Sequence, residues 1–327
     1  MAQDADAFQI LSLDGGGIKG IFSAALLAAL EEHFGIRITD HFDLIAGTST
    51  GGIIALGLGL GMRPRQILEF YLSWGGKIFS PRFGLRPLQQ WVIRKYSASP
   101  LEEALRSTFG DKKFGDSRKR LVIPSYNIGE NDVYVFRTPH HIRLGRDFRV
   151  PAWKVGLATS AAPTYFPCFR GVDSVRLIDG GVWANNPSMV ALVEAYETLA
   201  VPLPSIRVLS IGTTDVVHRR RARLNHGGIL PWAFGNAAID AVMRGQSIAA
   251  NNQVGFLLGA QSLERVNPPV AQADYSLDGI QSARDLIGKA SYHSRQFSPT
   301  FAAKFGGHAA RPYIPLHQGD NHVAAHT

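Results

Sequence analysis

The sequence is poor in cysteine and has no long hydrophobic run. Cys168 is the single cysteine among 327 residues, so an intrachain disulfide and a cysteine-based zinc cluster are both excluded. The longest apolar stretch, residues 53–62, is glycine-rich and far shorter than the roughly 20 residues of a membrane-spanning helix. Residues 1–7 lack the basic start and apolar centre of a secretory signal. We therefore expect a cytoplasmic protein whose contact with a membrane is peripheral.

Acidic residues are outnumbered by basic ones. The chain has 34 Lys and Arg against 26 Asp and Glu, a net charge of +8, and a pI of about 9.7. This excess favours an anionic partner, which could be a phospholipid surface, a nucleotide or a nucleic acid. A local run at 218–223 (HRRRAR) concentrates the charge and fits a binding patch or a solvated loop equally well.

Apolar runs alternate with helical patterns along most of the chain. Residues 8–13 predict a strand, 15–17 a turn and 18–34 a helix, and a second strand–turn–helix unit follows through 42–60. Further strands are predicted at 121–126, 175–178, 207–211 and 262–266, and long helices at 232–258 and 277–305. This order predicts an α/β fold in three layers, with a mainly parallel central sheet between helices.

The pentapeptide GTSTG at 47–51 stands between an apolar strand and an apolar helix. Glycines two residues before and after Ser49 permit a sharp turn that exposes the Ser49 hydroxyl beside the first amides of the helix. This arrangement is a nucleophile elbow, and it predicts that Ser49 attacks a substrate.

A glycine-rich loop, DGGGIKG at 14–20, also lies where a strand passes into a helix. Unpaired backbone amides and the positive end of the helix favour negative charge there. The spacing also fits a dinucleotide fingerprint, but the acidic residue expected after the second strand is missing. An oxyanion hole serving Ser49 explains the loop better, and Lys19 is either its anchor or an exposed helix residue.

A nucleophilic serine needs a base. The sequence contains 11 histidines, yet those at positions such as 140, 141, 218 and 226 lie in polar, loop-like contexts. Asp179 is the better candidate, because the sequence IDGG places its carboxylate directly after a predicted strand. A carboxylate bonded to Ser49 could take the hydroxyl proton and return it to the leaving alcohol. The competing interpretation of Asp179 is a turn or helix cap.

Taken in order, these three motifs resemble those of the patatin-like phospholipases. The resemblance implies an oxyanion hole at Gly15, Gly16 and Gly17, and a Ser-Asp dyad of Ser49 and Asp179 that works without histidine. It also implies hydrolysis of phospholipid acyl esters without metal or cofactor.

The resemblance covers about residues 8–215, which we expect to form a patatin-like catalytic domain. Residues 62–120, rich in proline and in aromatic and basic side chains, are expected to form a cap-like insertion or a membrane-docking surface. Residues 216–307 are expected to be a helical C-terminal part packed on the domain and a possible nucleotide sensor. The tail at 308–327 is expected to be extended.

A narrower resemblance is carried by residues 11–25, 40–46 and 161–167. These segments are similar to the cyclic-nucleotide-activated phospholipase effectors of bacterial CBASS antiphage defence. Lys19 differs from the arginine commonest among patatins, but lysine is the ordinary residue in this branch. The resemblance implies activation by a cyclic dinucleotide such as cGAMP, action at the inner face of the cell membrane, and a possible homo-oligomer on activation.

The basic candidates for nucleotide binding are Arg219, Arg220, Arg244 and Arg265, because a dinucleotide carries two phosphates. No DNA or RNA partner is expected. Two alternatives stay open: a constitutive patatin-like lipase or esterase without nucleotide control, and a catalytically inactive nucleotide-binding module.

Overall fold

The computed structural model describes residues 7–80, 96–217, 237–271 and 282–317. The strands are β1 (Phe8–Leu13), β2 (Leu44–Gly47), β3 (Arg120–Asn127), β4 (Asp132–Arg137), β5 (Phe169–Val172), β6 (Val175–Asp179), β7 (Ile206–Ile211), β8 (Asp215–Val217), β9 (Leu263–Val266) and β10 (Pro269–Ala271). The helices are α1 (Gly20–Phe34), α2 (Thr50–Gly59), α3 (Pro64–Ile78), α4 (Ser99–Phe109), α5 (Ala152–Thr159), α6 (Gly181–Ala184), α7 (Ser188–Val193), α8 (Ala237–Leu258) and α9 (Ala283–Lys304).

Eight strands form the main sheet, in the order β5-β6-β3-β2-β1-β7-β9, with β4 also paired to β3. The five strands from β3 to β9 in this order are parallel, whereas β4, β5 and β6 are antiparallel to their neighbours. β8 and β10 form a separate parallel pair. Parallel strands require cover on both faces, and the mainly parallel sheet predicted from the sequence is confirmed.

Side chains alternate between the two faces of the sheet. On β1, Leu11 and Leu13 join a large core cluster with α1, α2, α3, α5 and α9. Ile10 points the other way, into a smaller cluster with residues of α7 and with Val254 of α8. Because strand side chains alternate with a period of two, one apolar strand supplies both cores and the helices form two outer layers.

The C-terminal part shares the sheet and the core of the predicted catalytic domain. β9 is hydrogen-bonded in parallel to β7, and α9 packs on α1. Phe305 of this part lies 6.0 Å from Phe42, measured between ring centroids, and Phe301 is buried in the same cluster. Residues 308–317 continue without helix or strand, and residues 318–327 of the predicted tail lie outside the described residues.

The described part of the predicted insertion consists mainly of α3 and α4. α3 packs on α1, and α4 packs on α5. Phe79 and Tyr96, on either side of residues 81–95, pack against each other and against Phe166. The aromatic and basic residues at 82–95, on which the membrane-docking alternative mainly depended, lie outside the described residues. Among the helices that are described, none is both long enough and apolar enough to cross a bilayer.

Candidate active site

Ser49 sits on a sharp turn between β2 and α2. Its backbone has φ 54° and ψ −122°, outside the regions that non-glycine residues ordinarily adopt. A Cβ at Gly47 would come within 2.1 Å of the Gly51 carbonyl oxygen, and one at Gly51 within 2.2 Å of the Leu13 carbonyl oxygen. Both positions therefore require glycine, as the elbow motif predicts. The strained turn holds the Ser49 side chain at the carboxyl end of the sheet.

Asp179, the last residue of β6, accepts a hydrogen bond from Ser49. The distance from Ser49 Oγ to Asp179 Oδ2 is 2.6 Å, and the other carboxylate oxygen accepts the Gly181 amide, also at 2.6 Å. Only 3% of Asp179 is exposed. Burial raises its pKa from 3.8 to about 6, although the bonds from Ser49 and Gly181 oppose the rise. The carboxyl group is thus poised to bind or release a proton near neutral pH.

Thr159, at the end of α5, supports the strained serine. Its hydroxyl accepts the Ser49 amide at 3.0 Å and donates to the Pro124 carbonyl at 2.6 Å. Thr159 was not predicted as a site residue, because the helical pattern around it carries no signal of a contact so distant in the chain.

The glycine loop fulfils the predicted role only in part. Gly16 and Gly17 line the same cavity as Ser49 and Asp179. The amide of Gly15, however, donates to the Asn185 carbonyl at 2.9 Å. The prediction of Gly15 as an oxyanion donor is therefore wrong: its amide is already used to join the loop to the segment after α6.

Asp14 anchors the start of this loop. Its buried carboxylate pairs with the Arg265 guanidinium, which also donates to Ser210 Oγ at 2.7 Å. Burial raises the pKa of Asp14, and the charge of Arg265 opposes the rise. Among the nucleotide-binding candidates, Arg265 is thus engaged in holding the loop, and the geometry favours this positioning role over a role in ligand binding.

Lys19, within the glycine loop, is buried. Burial lowers its pKa, against the attraction of three carboxylates at Asp240, Asp215 and Asp14. A buried lysine that nearby carboxylates attract fits the predicted anchor better than the alternative of an exposed helix residue.

Arg244 lies on α8 and is 45% exposed, with its guanidinium 2.8 Å from Asp215 Oδ2. Arg244 and Arg265 therefore belong to two different ion pairs. Arg219 and Arg220 lie outside the described residues.

A mostly apolar cavity of about 290 Å³ opens over Ser49 and Asp179. Its wall combines the elbow, the insertion and α8. The residues that line it are Gly16, Gly17, Ser49, Thr50, Ile53, Phe70, Tyr71, Ile78, Phe79, Leu101, Ser160, Ala162, Pro163, Tyr165, Phe166, Asp179, Gly181, Val182, Ala238, Ile239, Val242 and Met243. Such a wall suits a flexible hydrocarbon chain whose polar end reaches the serine.

None of the described lining residues is a histidine. His140 is buried elsewhere, with Nε2 3.0 Å from Glu194 Oε1 and Nδ1 2.9 Å from Thr138 Oγ1. His218 and His226 lie outside the described residues. Within the described ranges, no group of three or more His, Cys, Asp or Glu side chains is arranged to hold a metal ion.

The sequence model of the patatin-like phospholipase family matches residues 11–192, a span that contains the glycine loop, Ser49 and Asp179. This chain belongs to that family. Its members are hydrolases, and the chain is accordingly a hydrolytic enzyme of the patatin-like phospholipase type.

Curated relatives narrow the comparison. A cGAMP-activated phospholipase from Pseudomonas aeruginosa is 34% identical over 257 residues, which cover 77% of this chain and 76% of the relative. One of the same name from Vibrio cholerae is 36% identical over 226 residues, which cover 63% of this chain and 64% of the relative. Patatin-like protein 1 from Arabidopsis thaliana is 28% identical over 332 residues, which cover 88% of this chain and 79% of the relative.

Among solved structures, VipD from Legionella pneumophila is 14% identical, with a TM-score of 0.48. The alignment covers 90% of this chain and 67% of the VipD chain. The fold assignment rests on the sheet topology and the family match.

Proposed function

We propose that this protein hydrolyses acyl esters of membrane phospholipids, with Ser49 as the nucleophile and Asp179 as the general base. The observation that carries the proposal is the 2.6 Å hydrogen bond between the Ser49 hydroxyl and the Asp179 carboxylate, two residues that line a mostly apolar cavity. Family membership supports the reaction class, and the cavity supports an acyl substrate.

In the first half of the reaction, Ser49 Oγ attacks the ester carbonyl carbon while Asp179 takes the hydroxyl proton. The amides of Gly16 and Gly17 are the proposed donors to the oxyanion, and each donor in such a site stabilises the transition state by about 3 kcal/mol. Collapse of the tetrahedral intermediate breaks the bond to the leaving alcohol. Asp179 then returns its proton to that oxygen, which releases lysophospholipid and leaves an acylated serine.

Water completes the cycle. Asp179 takes a proton from a water molecule, whose oxygen attacks the acyl carbonyl carbon. The bond to Ser49 breaks, Asp179 returns the proton to Oγ, and the fatty acid leaves. Because the pKa of Asp179 is about 6, the carboxyl group is mostly ionised at pH 7 to 8, as a base must be.

The lipid surface is proposed to be the inner face of the cell membrane. The net charge of +8 supports peripheral attraction to anionic phospholipid.

Activation by a cyclic dinucleotide is the finer part of the proposal. Its support is the name of the relatives from Pseudomonas aeruginosa and Vibrio cholerae, cGAMP-activated phospholipase. Arg244, on a helix that lines the cavity, and the basic run at 218–223 are the proposed contacts for the two phosphates. Assembly into a homo-oligomer on activation belongs to the same hypothesis.

A fluorogenic phospholipid assay with a panel of cyclic di- and trinucleotides tests both parts. Wild type should hydrolyse the lipid, whereas Ser49→Ala and Asp179→Asn should not. Strong stimulation by one nucleotide supports the gated enzyme, and equal activity without any nucleotide identifies a constitutive lipase instead. Nucleotide binding by a wild type that hydrolyses nothing would identify an inactive module and contradict the proposal.

A further inference from the structure

One turn of α8 makes side-chain contacts with the segment that follows Asp179. Gln246 Nε2 donates to the Gly181 carbonyl at 2.5 Å, and Gln246 Oε1 accepts the Asn185 amide at 2.9 Å. These are the two backbone groups that would bond directly to each other in a regular helix, where the amide of residue i pairs with the carbonyl of residue i−4. The Gln246 side-chain amide therefore bridges these two backbone groups at the end of α6.

The same two residues also contact the catalytic centre. The Gly181 amide donates to Asp179 Oδ1 at 2.6 Å, and the Asn185 carbonyl accepts the Gly15 amide at 2.9 Å. Through Gly181, Gln246 is one residue away from the proposed base; through Asn185, it is one residue away from the glycine loop. Ser247 reinforces the second path, because its hydroxyl accepts from Asn185 Nδ2 at 3.1 Å.

We propose that Gln246 is a positioning residue that fixes the position of the Asp179 carboxylate relative to the glycine loop. The inference deepens the proposed hydrolase function and depends on it. It assigns to α8, which lies outside the residues matched by the family, a part in assembling the site.

A displaced base has two measurable consequences. Misplacing a reacting group by about 1 Å costs about 10²-fold in rate, so turnover should fall although the acyl cavity is kept. The Gly181 amide also lowers the pKa of Asp179, so a loosened Gly181 should move the acidic limb of the rate profile to higher pH. Burial, Ser49 and Gly181 set this pKa, without a charged neighbour among the described residues. A change in that limb therefore reports on the Gly181 bond.

The test compares Gln246→Met with Gln253→Met in the full chain. Methionine fills a volume similar to that of glutamine but makes neither hydrogen bond, and Gln253 is an exposed residue of the same helix. The readouts are kcat, KM and the pH profile for a fluorogenic acyl ester, under conditions in which wild type is active. We expect Gln246→Met to lower kcat by about 10²-fold, with KM nearly unchanged and the acidic limb at higher pH. Gln253→Met should match wild type.

A wild-type kcat and acidic limb in Gln246→Met would overturn the inference. If that variant does not fold, Gln246→Asn takes its place, because asparagine is also neutral and its amide, one methylene shorter, cannot reach both the Gly181 carbonyl and the Asn185 amide. The acidic limb of its pH profile should likewise move to higher pH, and a wild-type profile in this variant would also overturn the inference. Failure of the proposed function looks different: wild type itself would not cleave the ester, and a fluorophosphonate would not label Ser49.

Discussion

Replacing the proposed base by its neutral isostere should abolish hydrolysis and make the protein more stable. Asp179 is buried, and its pKa rises from 3.8 to about 6 on folding. Each pKa unit corresponds to about 1.36 kcal/mol, so keeping this carboxylate ionised in the folded state costs about 3 kcal/mol. Asparagine carries no such cost. Its oxygen can accept the Gly181 amide, and its nitrogen can donate to Ser49 Oγ.

The pH dependence of the effect follows from the sign of the pKa change. Below about pH 4 the folded and unfolded states both hold the proton, so the cost is absent. As the pH rises, the unfolded carboxyl ionises first, and wild type loses stability until the folded carboxyl ionises near pH 6. The stability advantage of Asp179→Asn should therefore be about 3 kcal/mol at pH 8 and about half of that at pH 5.

Urea unfolding of wild type and Asp179→Asn at the two pH values measures this difference. Hydrolysis of a fluorogenic ester by the same preparations should fall to the level of Ser49→Ala. The reasoning is refuted if the variant is no more stable than wild type at pH 8, or if its advantage is the same at pH 5.

Three further substitutions test the support of the site. Thr159→Val removes the acceptor of the Ser49 amide, so urea unfolding should detect a loss of about 1–3 kcal/mol together with slower turnover; unchanged turnover would contradict the role. Arg265→Leu leaves the buried Asp14 without its partner and should cost about 3–5 kcal/mol, whereas a residue that served only ligand binding would leave stability unchanged. Val242→Phe should narrow the cavity and lower kcat/KM for long acyl chains more than for short ones, and an unchanged ratio would speak against acyl binding there.

Much of the fold is encoded in local patterns. The apolar run at 8–13 coincides with β1, and the helix predicted at 18–34 corresponds to α1 after a short 3-10 turn. The pair of β8 with β10 was missed, because strands of three residues carry little periodicity of their own. β4 was also missed, although it has six residues and its burial alternates. The helix boundaries within the insertion were not predicted from the sequence. Pro64, one of its prolines, begins α3 in the first turn, where proline is tolerated.

The residues of the site likewise fall into two groups, those that local motifs predict and those that they do not. Ser49 and Asp179 stand in motifs whose turn chemistry can be read locally, and the structure brings them together. The role of Gly15 could not be judged from its motif, because the acceptor of its amide lies on a distant segment. The Thr159 contact spans 110 positions and the Gln246 contact spans 65, and neither side chain differs in kind from an ordinary helix residue. Supporting contacts of this kind are created by folding.

The central claim is that Asp179 activates Ser49 for attack, and the rate at which a fluorophosphonate labels the protein tests it most directly. In wild type the labelled peptide should contain Ser49, and the labelling rate should rise with pH through an acidic limb near 6. Asp179→Asn should label at least about 10²-fold more slowly, without that limb. Labelling of another residue, or an unchanged rate in Asp179→Asn, would contradict the account.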